Sequence, residues 1–247
     1  MEPAQPSSRR PTPSRADRDL YGLPDPIRSS WLGLAADLIQ HGPAGRYLWE
    51  SRRIQGWIRG AEAAALWQAG ARLPGSPVIV EIGALLGCST VLLAGTRKLE
   101  GRGKVHTIDP FDGGGDSFSL PIYQEIAAAS KASLRDRFDS NMRRAGVTEF
   151  IEVHPMSAAA ALAGWAGPID MLYLDGDQSP AGARDAFVSW TRFLRAGGVV
   201  AINNSAEGDH PAGHDGSVRV VREFLTSPAY DQVRRVEALT FATKRSA

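Results

Sequence analysis

The chain has little of what would bind it to a surface or a compartment through bulk properties. It contains one cysteine, Cys88, so no intrachain disulfide can form and a reducing, cytoplasmic setting is expected. It has no charge excess: 28 Lys and Arg against 27 Asp and Glu give a formal net charge of +1, too little to draw it onto nucleic acid or an anionic membrane. No apolar run approaches the ~18 residues of a membrane span. Glu2, Asp17 and Asp19 interrupt the arginines of the N-terminal segment, unlike a signal or transit peptide. No repeat is visible. Neither a nucleic-acid nor a membrane partner is expected, and any partner must be recognised by a site.

With 247 residues, 43% of them hydrophobic and 22% charged, the chain can bury one large α/β core. Residues 1–24 are rich in Pro, Ser and Arg and poor in large apolar side chains, so a disordered tail is expected there. Over 25–72, Trp31, Leu32, Leu38, Ile39, Tyr47, Leu48, Ile54, Trp57, Ile58, Leu66 and Trp67 recur at three- and four-residue spacing. That period predicts a helical cap, its tryptophans packing onto the main domain or walling a ligand. Over 73–247, short apolar runs alternate with helical patterns: PVIVEI, KVHTID, FIEVH, IDMLYLD and VVAIN each precede one. This predicts right-handed βαβ units and a parallel sheet. Gly146 and the pair Gly197, Gly198 stand where helix C-caps are expected. The segment DQVRRVEALTFATKR alternates like a hairpin at the sheet edge.

The turn after the first strand reads E-x-G-x-x-x-G: Glu81, Gly83, Gly87. In a doubly wound sheet this turn lies under the ligand. A dinucleotide fingerprint needs three glycines facing a pyrophosphate, and only two of the required kind are present. A carboxylate at the turn opposes a pyrophosphate, since like unit charges ~4 Å apart repel by about 4 kcal/mol at an effective dielectric near 20. It suits a cationic ligand such as S-adenosylmethionine. Asp109 ends the second strand, 22 positions after Gly87, where an acid can bind ribose hydroxyls of either cofactor.

The runs VEIGALLGCST, VHTIDPFDG, IDMLYLDGDQSPAGARDAF and LRAGGVVAIN, in this order, resemble the motifs of class I S-adenosylmethionine-dependent methyltransferases. They are most similar to the small-molecule O-methyltransferase branch with a DGDH-like motif after the fourth strand. The resemblance implies a doubly wound, Rossmann-like α/β fold with a mostly parallel seven-stranded sheet and an antiparallel edge strand. It implies cofactor contacts by Glu81, Gly83, Gly87, Ser89, Asp109 and Asp175, and a small-molecule acceptor, such as a sugar or secondary metabolite, methylated on oxygen. A homo-oligomer is compatible with it.

Methyl transfer to oxygen also needs a proton acceptor or an acidifying cation. In metal-dependent relatives, two carboxylates and an amide at the ends of strands four and five bind magnesium; here Asp175, Asn203 and Asn204 stand at those places, with one carboxylate missing and Asp177 as its candidate replacement. Where relatives offer a histidine in the DGDH run, this chain has Gln178, which cannot take a proton. The remaining base candidates are Asp175 and Asp177 at the end of strand four, and His210 and His214 in the Gly-rich segment after strand five. Asp112 and Asp116, in the loop DPFDGGGDSFSLP, are candidate substrate contacts, although the loop also reads as flexible punctuation. His106 and His154 lie in strand patterns and read as structural. Two rival readings are a cofactor-binding protein that has lost catalysis and an NAD-dependent oxidoreductase.

Overall fold

The computed structural model describes residues 15–246. The chain begins with α1 (Arg15–Leu20), α2 (Trp31–His41), α3 (Ala44–Arg52) and α4 (Gly60–Ala71). The alternating part follows as β1 (Val78–Ile82), α5 (Cys88–Glu100), β2 (Lys104–Ile108), α6 (Ser119–Ala128), α7 (Leu134–Ala145) and β3 (Ile151–His154). It continues with α8 (Ala158–Leu162), β4 (Ile169–Leu174), α9 (Pro180–Thr191), β5 (Leu194–Ile202) and α10 (Gly216–Val220), and ends with β6 (Tyr230–Val236) and β7 (Leu239–Lys244). The seven strands form one sheet in the order β3-β2-β1-β4-β5-β7-β6. The first five pair in parallel, while β7 runs antiparallel between β5 and β6. Among the described residues, no helix is long and apolar enough to cross a membrane.

Because side chains alternate across a strand, a sheet covered on both faces needs apolar residues at nearly every position. Ile79, Val105, Met171 and Tyr173 face one buried cluster with Leu66, Leu92 and Phe138. Their neighbours Val80, Ile82, Ile108, Leu172 and Leu174 face a second cluster with Phe187 and Trp190. Glu81 shares its face with Ile79, toward α5, and is fully buried there.

The strand register sets up the site. Ile82 is level with both Ile108 and Leu174, and Leu174 with Ile202. The next residues, Gly83, Asp109, Asp175 and Asn203, therefore emerge together at the carboxyl edge. Gly83 N donates to Ile108 O (3.0 Å), Asp175 N to Ile82 O (2.9 Å) and Asn203 N to Leu174 O (3.0 Å).

Three expectations need correction. Residues 1–14 of the expected disordered tail lie outside the described residues, but 15–24 form α1 and a turn docked on residues 54–59. Gly56 N and Arg59 donate to Gly22 O, and Gln55 Nε2 to Tyr21 O. Hydrogen bonds to its backbone carbonyls hold this segment, which a reading based on apolar burial misses. Second, the helical cap packs unevenly: Trp49 and Trp67 are buried, but Trp31, Leu32 and Ile39 of α2 are about four-fifths exposed. α2 is held instead by the buried Asp37, paired with Arg52 of α3. Third, Gly146 does cap α7 in the left-handed region, but Gly197 and Gly198 lie within β5. There Ile169 pairs with Leu194 and Met171 with Val199, so the glycines form a bulge.

Gly83 has φ +87°, and a Cβ on it would stand 2.3 Å from the Asp175 carbonyl oxygen. Gly83→Ala is expected to cost about 2–3 kcal/mol, through strain at positive φ and separation of β1 from β4. Urea unfolding of the variant against wild type measures this.

Candidate active site

A cavity of about 510 Å³ opens at the carboxyl edge of β1, β2, β4 and β5. Its floor is the Ile82–Leu85 turn with Asp109, Asp175 and Asn203. Its walls come from elsewhere: Leu20 at the end of α1, Trp57 in the connection between α3 and α4, Phe118, Ile122 and Tyr123 around α6, and His214 before α10. Trp57 is held by its Nε1, which donates to Asp19 O (3.2 Å), and its ring meets Tyr123 at 5.9 Å. The aromatic wall considered for the cap is thus contributed by Trp57, not by the four tryptophans together.

Asp109 organises the floor. Its Oδ2 accepts from Ala84 N and Leu85 N, both at 2.8 Å, and its Oδ1 from Phe111 N at 2.7 Å. Leu85 and Phe111 both have positive φ, as does Asn204 on the same rim, and the Asp109 carboxylate holds the first two turns in that strained form. A carboxylate has about four acceptor sites. Three are filled, so Asp109 can take one further hydroxyl and not a bidentate pair.

Glu81 lies behind the floor. Its carboxylate accepts from Ser89 Oγ (2.5 Å), Thr90 Oγ1 (2.6 Å) and Thr107 Oγ1 (3.0 Å), and it does not line the cavity. Burial raises its pKa to about 7 against the pull of these three hydroxyls. Gly87 is not on the lining either: its φ is +91°, and a Cβ there would meet Met142 Cε at 2.4 Å, so it serves the packing of α7. Of the expected cofactor group, the structure brings Gly83, Ser89, Asp109 and Asp175 to the cavity.

Asp175 is a strongly perturbed acid on the lining. Burial raises its pKa to about 7, while Asn203 Nδ2 (2.8 Å) and Tyr173 OH (2.9 Å) donate to it and the Glu81 charge raises it further. Asp175, Asn203 and Asn204 do converge. Their donor set does not suit magnesium, which prefers hard, charged oxygens. Both Asp175 oxygens already accept hydrogen bonds, and Asn203 turns N–H rather than oxygen toward them. Asp177 lines the rim of the cavity, where it caps the Ser179 N–H (2.8 Å). Gln178 is buried, accepting from Ser217 Oγ at 2.5 Å, so it fastens α10 and does not reach the cavity.

The two loop histidines separate. His210 contacts Ala206 O through Nε2 at 2.8 Å and is not on the lining. His214 is buried on the lining, with Nδ1 3.1 Å from Asp116 Oδ2 and its ring 4.9 Å from that of Phe118. Asp116 also accepts from Ser119 N and Ser119 Oγ. Burial alone would raise the Asp116 pKa, but the Ser119 and His214 hydrogen bonds outweigh it and lower it. This His–Asp pair spans 98 positions of sequence, which is why sequence reasoning named the two residues separately and not as a unit.

The methyltransferase domain family matches residues 80–205, just over half of the chain. The chain belongs to this methyltransferase family. Within it, the expected order of motifs is the observed order of strand ends, and the sheet is that of the class I fold. Solved structures share the architecture. Cofactor-bound Rv0187 from MTB is 20% identical, with a TM-score of 0.59, covering 97% of this chain and 100% of that one. The O-methyltransferase TomG from Streptomyces achromogenes, solved with SAM, is 19% identical at a TM-score of 0.59, covering 86% and 96%. The O-methyltransferase NovP is 16% identical at 0.59, covering 80% and 86%.

The raised Glu81 pKa carries a signed consequence for this methyltransferase. A carboxyl whose folded pKa lies above its unfolded value contributes stability at low pH that is lost as pH rises through the folded pKa. The stability gained by Glu81→Gln relative to wild type is therefore expected to grow between about pH 5 and 7 and then level off. Urea unfolding of both proteins across pH 5 to 8 checks this; a difference flat with pH would mean that Glu81 stays charged.

Proposed function

We propose that the protein is an S-adenosylmethionine-dependent O-methyltransferase acting on a small hydroxylated acceptor, with His214 as general base oriented by Asp116. The observation that carries the cofactor assignment is the charge of the cavity. Asp19, Asp109, Asp112, Asp175 and Asp177 line it, and among its described lining residues there is no Lys or Arg. Such a lining favours a sulfonium and an ammonium and opposes a pyrophosphate, which speaks against the oxidoreductase reading. The electrostatic preference thus rests on the whole lining rather than on Glu81.

The cofactor, when bound, supplies an activated methyl group. Gly83 admits it close to the β1 and β4 backbones, Asp109 offers one acceptor to a ribose hydroxyl, and the Asp175 carboxylate faces its cationic end. Trp57, Phe118, Ile122 and Tyr123 present an apolar, aromatic wall, which favours a flat acceptor over a bare sugar. Holding the acceptor oxygen in line supplies much of the rate. With Nδ1–H donating to Asp116, His214 keeps Nε2 as the free acceptor for the hydroxyl proton. The buried Asp116 carboxylate then stabilises the imidazolium. Because the magnesium donor set fits poorly, no step uses a metal.

A second reading is favoured by the Asp175 pKa of about 7, near the value a general base needs. The variants separate the two. His214→Asn is expected to lower kcat by about 10²-fold or more with cofactor affinity retained, Asp116→Asn to give a smaller loss, and His210→Ala none. Radiolabelled methyl transfer to phenolic and sugar acceptors, with and without EDTA, is the measurement. Retained kcat in His214→Asn with loss in Asp175→Asn would move the base to Asp175, and labelled cofactor that binds without any transfer would support the non-catalytic reading.

The cofactor assignment has its own test. S-adenosylmethionine at 100 times its Kd is expected to add about 2.7 kcal/mol of stability, and NAD none. Thermal unfolding with each ligand decides, and stabilisation by NAD alone would reverse the assignment.

A further inference from the structure

His106 of β2 and Glu152 and His154 of β3 form a cluster that the cavity does not use. β2 and β3 pair in parallel with His106 level with Glu152, and His154 is two residues on, so all three side chains leave the same face. His106 Nδ1 lies 3.2 Å from His154 Nε2. Glu152 places Oε2 3.8 Å from His106 Nδ1 and Oε1 3.7 Å from His154 Nε2. With metal–ligand bonds of about 2.0–2.2 Å, the ligand atoms of a tetrahedral cation stand about 3.3–3.6 Å apart. The two histidine nitrogens already stand close to that spacing, while the two contacts of Glu152 use different oxygens; closing on one cation requires the half-exposed carboxylate to turn one oxygen toward both histidines, the three ligand atoms lying within 4.8 Å of one another.

Two imidazole nitrogens at this distance must share either a proton or a cation, and a carboxylate beside both adds the negative charge that a cation requires. The rings are fixed: both histidines sit on strands, and Trp165 packs its ring against His106 (5.0 Å) and His154 (6.3 Å). Glu152 is half exposed, leaving a fourth position open to water. We propose that His106, Glu152 and His154 bind a divalent transition-metal cation of the Zn²⁺ class. Imidazole donors select such ions, whereas magnesium requires an oxygen shell. None of the three residues lines the cavity. The cation would act structurally, fastening the edge strand β3 to β2 beside the floor, since His154 O accepts the Asp109 N–H at 3.2 Å.

The test is calorimetric titration of chelator-treated, full-length protein with Zn²⁺. One equivalent is expected to bind, and at 100 times its Kd to raise the unfolding midpoint by about 5–10 °C. Glu152→Gln, on an exposed side chain that folding does not need, is expected to weaken binding about tenfold or more, and His154→Ala to abolish it. His214→Asn, which removes the histidine of the cavity, is expected to leave it unchanged. Co²⁺ in place of Zn²⁺ is expected to show the absorption of a tetrahedral complex. Absence of stoichiometric binding to wild type would leave a shared proton between the histidines and overturn the proposal. So would equal affinity in wild type, Glu152→Gln and His154→Ala.

Discussion

The carboxylate of Asp109 is the constraint on which the site depends. Three backbone N–H groups from two different turns converge on its two oxygens. Without that anion, the left-handed residues Leu85 and Phe111 would have no compensation for their strain, and the turns after β1 and β2 would lose their shared anchor. The cavity floor exists because β1 and β2 end level and one acid ties their two turns together. Gly83 completes the arrangement on the other side by letting the backbone of β4 approach where a side chain would stand.

In this floor and behind it the protein buries acid. Glu81 and Asp175 both have carboxyls raised to about 7 by burial, each partly compensated by hydroxyl or amide donors, and the charge of Glu81 raises Asp175 further. A fold that keeps protonatable groups of this kind under its cavity gives up some stability near neutral pH. In return, the cavity presents a negative field from fixed positions, with no need to reorganise when a cationic ligand enters.

The walls differ in kind from the floor. They come from the N-terminal segment, the α6 region and the segment before α10, which share no motif and meet only in the folded chain. Trp57 is in place because a short helix before it offers backbone carbonyls to its indole. His214 is in place because Asp116 and Phe118 receive it. Trp57 and His214 lie outside the residues that the family matches, in keeping with the general separation of fold from function.

Apolar alternation, turn glycines and the order of motifs determined the five parallel strands, the terminal hairpin and the edge at which Gly83, Asp109, Asp175 and Asn203 lie, because these are local patterns with a period the chain displays directly. The same patterns overstated α2, several of whose apolar residues face solvent, and understated residues 15–24, which are held by hydrogen bonds to their backbone carbonyls that leave no trace in composition. Only the tertiary structure decided that Glu81 and Gly87 stand behind the cavity, that Gln178 is a strut and that His210 turns away. It also decided that His214 meets Asp116, and that His106 meets His154. Each of these depends on which way a side chain points once distant segments have packed, and that direction is set by neighbours far away in sequence.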